Sequence, residues 1–201
     1  LISLSFYKKT ITRNLDTQEY NVKGIYGMNG SGKSAIVTSA DILRNLLTNP
    51  GYLNNPIVQK NLEELINKKL GELFISVDFL VNLNKQENSI PVLMRYMVTI
   101  SQNSNGKYAI SHEKLSCKNA CRKSDFMFNV FETQKGDVIS VIDEAENPFL
   151  KRFLDKTTNL LEDNSMCVLF FDKVLMDMAK DETDKDYPIL FYQLLSLWIF
   201  G

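Results

Sequence analysis

Eight consecutive residues, Gly27-Met28-Asn29-Gly30-Ser31-Gly32-Lys33-Ser34, fit the spacing G-x-x-x-x-G-K-[ST], and each part of that spacing has a chemical reason. Glycine lets the backbone fold closely around an anion and turn several N–H groups inward. A helix that begins at the end of the loop adds its positive dipole end. An ammonium at Lys33 can then reach β- and γ-phosphate oxygens, and a hydroxyl at Ser34 can coordinate Mg²⁺. The pattern reads as a Walker A loop for ATP and Mg²⁺, built from Gly27, Asn29, Gly30, Ser31, Gly32, Lys33, Ser34 and Ala35. The competing reading is a plain glycine turn between strand and helix, which has no need of Lys then Ser at these positions.

The elements that must position such a loop are legible around it. Leu1 to Lys9 alternates apolar and polar residues as a strand does, and Asn21 to Tyr26 reads as a second short strand leading into the loop. Ser34 to Thr48 reads as a helix with Ile36, Ala40, Leu43 and Leu47 on one stripe and Val37 beside it. Asn49-Pro50-Gly51 stops it. A second helix is expected from Pro56, with Val58, Leu62, Leu65, Ile66 and Leu70 on one face and Gly71 as its C-terminal cap.

The middle of the chain is strand-rich. Leu73 to Val81, Val92 to Ser101 and Lys107 to Leu115 are β-prone, and Asn105-Gly106 between the last two is a hairpin signal. Phe126 to Phe131 and Val138 to Ile142 flank a turn at Lys135-Gly136. Helix returns at Pro148, with Asn147 as N-cap. Met166 to Phe171 reads as a buried strand and Tyr187 to Phe200 as a buried helix.

Other chemistry-bearing residues give weaker signals. Phe6, Tyr7 and Tyr20 are aromatic rings near the loop that could stack on adenine, although core or surface packing explains them better. Cys117 and Cys121 form a Cys-x-x-x-Cys without a second pair, which reads as two reduced thiols. His112 is the only histidine and falls in an expected strand. Lys8, Lys9 and Arg13 make a small basic cluster that reads as a solvated face.

The loop and its surroundings, Ile25 to Ala35 running into Ile42-Leu43-Arg44-Asn45-Leu46-Leu47, resemble the bacterial stand-alone AAA-family ATP-binding proteins, which are similar to the ATPase part of the ABC, SMC, RecF and OLD group. Arg95 to Ile100 followed by His112-Glu113-Lys114-Leu115 resembles that group's antiparallel lobe, and Phe126 to Val141 its next hairpin. The resemblance implies an α/β fold: a P-loop NTPase core with an antiparallel β lobe and helices toward the C-terminus. It divides the chain into a core segment over 1–71, a lobe over 72–145 and a mostly helical segment over 146–201. It also implies a homodimer that sandwiches ATP, with DNA or an effector protein as a further partner.

Hydrolysis in such heads requires a Walker B Asp on Mg²⁺, a Glu that activates water, a signature motif and a Mg²⁺-sensing Gln. No Leu-Ser-Gly-Gly-like signature is found in the sequence. Val138-Ile139-Ser140-Val141-Ile142-Asp143-Glu144 resembles a Walker B in isolation, with Asp143 on the metal and Glu144 catalytic. The alternative is a hairpin strand running into an acidic helix start, and Ser140 and the position within the lobe favour that alternative. On that view the chain is the N-terminal part of a longer ATPase; the alternatives are a complete small NTPase that uses Asp143 and Glu144, or a nucleotide-dependent interaction module without turnover. Gln102 and Gln134 are the candidates for the sensing glutamine.

Composition bounds the remaining possibilities. The chain has 201 residues, 44% hydrophobic and 23% charged, with a net charge of -1. That is an ordinary globular composition, which argues against a generally basic nucleic-acid coat protein. Residues 1–124 carry 16 Lys+Arg against 9 Asp+Glu, and the acidic excess lies after them. The most apolar stretch, Ile189 to Phe200, is too short for a bilayer span of ~20 residues. No secretory leader is legible, so a cytoplasmic location is expected. The guanine-specific Asn-Lys-x-Asp is absent, since Asn67-Lys68-Lys69 is followed by Leu70.

Overall fold

A computed structural model describes residues 32–66, 68–81, 91–121, 126–142, 148–170 and 172. Five strands form one sheet in the order β1-β2-β3-β4-β5: β1 Glu72–Val81, β2 Val92–Gln102, β3 Tyr108–Asn119, β4 Phe128–Gln134 and β5 Asp137–Val141. Every neighbouring pair is antiparallel. Helices α1 Lys33–Thr48 and α2 Pro56–Leu65 precede the sheet and α3 Pro148–Thr157 follows it. The fold is therefore mixed helix and strand around an antiparallel meander. The parallel strands that a P-loop core requires are not among the described elements, and the expected strands Leu1–Lys9 and Asn21–Tyr26 lie outside the described residues.

Strand alternation decides which sheet face is covered. In β2, Met94, Tyr96, Val98 and Ile100 are buried and alternate with partly exposed neighbours. Their register partners in β1, Phe79, Val77, Ile75 and Leu73, share that face, as do Leu115 and Phe131 across β3 and β4. Ile42, Leu43, Leu46 and Leu47 of α1, Leu62 of α2 and Phe153 and Leu154 of α3 join the same core. The opposite face is mostly polar, with Phe74, Leu80, Leu93 and Met97 as its apolar members. It carries the Asp78–Arg95 pair at 2.7 Å and a cross-strand cluster in which Glu132 takes Lys114 Nζ at 2.7 Å and His112 Nε2 at 2.9 Å.

Both expected hairpin turns form. Gly106 takes φ 75, and the Asn103 side chain accepts the Asn105 and Lys107 N–H groups. Lys135 and Gly136 both have positive φ, at 49° and 84°, as a two-residue turn that follows strand twist requires.

Three expectations are corrected. The stripe on α1 keeps the expected Leu43 and Leu47 and adds Ile42 and Leu46, all buried, whereas Ala40 is exposed and Val37 is 65% exposed. Helix α2 ends at Leu65, because Ile66 is already extended, with ψ 127; Leu65 and Leu70 are exposed, and Gly71 lies just before β1 instead of capping a helix. The strand expected over Met166–Phe171 is not formed by its described residues, since 166–170 are helical. A short apolar run fits a buried strand or a buried helix equally well, and Ser165 settles it by capping. The expected helix Tyr187–Phe200 and the cap at Asn147 lie outside the described residues.

Candidate functional site

The described part of the loop begins at Gly32. Gly32 has φ 86 and ψ 8, a left-handed conformation that glycine adopts at little cost, and it is the N-cap of the 16-residue helix α1. The first helical bond runs from Ile36 N–H to Gly32 O at 3.2 Å. Lys33, Ser34 and Ala35 therefore occupy the first turn, where orphan N–H groups and the positive dipole end concentrate. No acidic residue lies in that turn. Ser34 and Ala35 are exposed and Lys33 is half-buried. Gly27, Asn29, Gly30 and Ser31 lie outside the described residues, as do Asp143, Glu144, Phe6, Tyr7, Tyr20, Lys8, Lys9 and Arg13.

The far end of α1 is held by side chains from late in the chain. Leu46 O would bond the N–H four residues on, but that residue is Pro50, which has none. Ser165 Oγ donates to Leu46 O at 2.9 Å instead. The same oxygen accepts Val168 N–H at 3.0 Å, so one hydroxyl ends α1 and caps the 166–170 helix. Asn164 Oδ1 accepts Gly51 N–H at 2.6 Å and fixes the turn that follows α1. Farther along, the Gln59 side chain accepts Tyr108 N–H at 2.8 Å and donates to Tyr108 O at 2.9 Å, which ties α2 to the start of β3.

Beneath the 166–170 helix lies a buried carboxylate. Glu113 of β3 is 0% exposed. Tyr96 OH donates to its Oε1 at 2.8 Å, and Met166 N–H donates to its Oε2 at 2.8 Å. Burial pushes the Glu113 carboxyl up to about 7, against the pull of these donors and of Cys167 N–H. Burial and the nearby carboxylate push the Tyr96 phenol well above its ordinary value, and the Cys167 thiol is raised for the same two reasons. Residue pattern could have signalled this site, because Glu113 stands at the inward parity of a strand whose Leu115 is core. A charge at that parity requires partners.

His112 pairs with Glu132 on the polar sheet face, a cross-strand role. Gln134 stands opposite His112 in the β3–β4 register and is exposed. Gln102 ends β2 and borders an open groove of about 260 Å³ lined also by Asn103, Ser111, Lys135 and Glu162. No residue of α1 lines that groove. Cys117 lies in β3 and Cys121 beyond its end, both as free thiols, and burial raises the Cys117 pKa. Among the described residues no group of three His, Cys, Asp or Glu could hold a metal ion, and no helix is long and apolar enough to cross a membrane. The strand leading to Asp143 is β5, the outer partner of an antiparallel hairpin with Ile139 56% exposed.

The chain matches no family model, no curated protein and no solved structure.

Proposed function

We propose that this chain binds Mg-ATP through Gly27–Ala35, as the N-terminal part of an ABC/SMC/RecF-like ATPase whose heads pair on nucleotide. One observation carries the reading: the G-x-x-x-x-G-K-S spacing runs into a left-handed Gly32 that opens α1, with Lys33 and Ser34 in its first turn. In this reading the loop amides and Lys33 hold the β- and γ-phosphates. Ser34 supplies a hydroxyl to Mg²⁺, and the ion offsets phosphate charge.

The antiparallel setting of β5 supports the hairpin reading of Val138–Ile142. Asp143 and Glu144 therefore receive no metal or water role in this proposal, and turnover is assigned to the paired, longer assembly. Equilibrium binding of ATP with and without Mg²⁺, beside Lys33→Ala, tests the reading. Lys33-dependent binding without turnover is the expected result. Equal binding by both forms contradicts it, and turnover that is lost in Glu144→Gln returns catalysis to this chain.

A further inference from the structure

We propose that Glu113 is a proton-sensitive latch that holds the segment 161–170 closed over the sheet and, through Ser165, against the end of α1. The latch stands apart from nucleotide binding, since none of its groups belongs to the loop. Its parts lie on three elements. β3 contributes the fully buried carboxylate, β2 contributes the Tyr96 hydroxyl at 2.8 Å, and the 166–170 helix contributes Met166 N–H at 2.8 Å. Ser165, one residue earlier, is fully buried and donates to Leu46 O at 2.9 Å. Opening this segment would wet Glu113 and release the α1 carbonyl together.

Burial makes the latch titrate. A carboxylate removed from water keeps its charge only at a cost, so the closed form holds a proton that the open form gives up. The carboxyl moves from an ordinary 4.5 to about 7 on closing. Closure therefore takes up a proton between those values. Rising pH favours opening across that window and adds nothing above it. The full window corresponds to an opening ratio on the order of 10²-fold. The ionisable groups acting on Glu113 among the described residues are Tyr96 from β2 and Cys167 from the helix, and both stay neutral throughout because their own pKa values are raised. From β4, the register partner of Glu113 is the uncharged Thr133.

Amide hydrogen exchange at Met166 and Val168 reads the latch directly. After correction for intrinsic base catalysis, protection in the full chain should fall on the order of 10²-fold from pH 4.5 to pH 7.5. In Glu113→Gln it should be flat. The same slope in both forms overturns the proposal. If Glu113→Gln does not fold, the ¹³C carboxyl resonance of Glu113 in the unmodified chain decides instead. Titration near neutrality supports the latch, and titration in the ordinary carboxylate range overturns it.

Discussion

At the scale of single residues, Ser165 serves two helices with one hydroxyl. It replaces the N–H that Pro50 denies to Leu46 O, and it caps Val168 N–H. Ser165→Ala leaves a buried carbonyl and a helix terminus without their partner, so a loss of about 2 kcal/mol is expected in urea unfolding. A loss below about 0.5 kcal/mol would contradict the dual role. Tyr96 makes a similarly specific prediction. Its hydrogen bond pulls the Glu113 carboxyl down, so Tyr96→Phe should raise that carboxyl further, as followed by its ¹³C resonance. A downward shift would show that the hydroxyl does not donate to the charged form. The spacing of Gly27–Ser34 is readable in the sequence, and of that stretch the structure describes Gly32, Lys33 and Ser34 at the start of α1. Glu113, Tyr96 and Ser165 were not legible as a unit, because their proximity arises from strand register and from a chain return of 53 residues between Glu113 and Met166.

At the scale of elements, local signals were readable where backbone geometry demands a residue type. Asn105-Gly106 and Lys135-Gly136 marked their turns because glycine takes positive φ there, at 75° and 84°. The two glycines differ in surroundings. A Cβ on Gly106 meets nothing within 4 Å, whereas one on Gly136 meets Glu162 Cγ at 3.2 Å. Both alanine variants carry about 1 kcal/mol of backbone strain. Gly136→Ala should lose more, and thermal melts of the pair check the order. The end of α2 was misread because Leu65 and Leu70 continue the apolar period, while tertiary burial stops at Leu62 and Ile66. Leu62, at 1% exposure, should cost about 2–5 kcal/mol on change to Ala, and Leu65, at 47%, under about 1 kcal/mol. Equal losses in denaturant titrations would restore the longer helix.

At the scale of the whole molecule, the sheet carries two carboxyls that respond to pH in opposite senses. Glu113 faces the core and is raised, so its contribution favours folding at low pH and fades as pH rises toward about 7. Glu132 faces the polar side, where hydrogen bonds from Lys114 and then His112 lower it. Its contribution is present above the ordinary carboxylate range and is lost as pH falls through its depressed value. Glu132→Gln should therefore weaken the fold at pH 7 and matter progressively less under acid, as urea titrations across pH would record. The antiparallel meander was legible from strand period and turns. The stacking of α1, the sheet and the 166–170 helix was not, because it depends on contacts between residues distant in sequence.

The central claim is that phosphate is held where α1 begins. Amide resonances of the full chain, followed as Mg-ATP is added, test it most directly. The account predicts saturable shifts concentrated at Gly32, Lys33 and Ser34 that are abolished in Lys33→Ala. Unchanged resonances there, or shifts confined to the groove by Ser111 and Lys135, would contradict it.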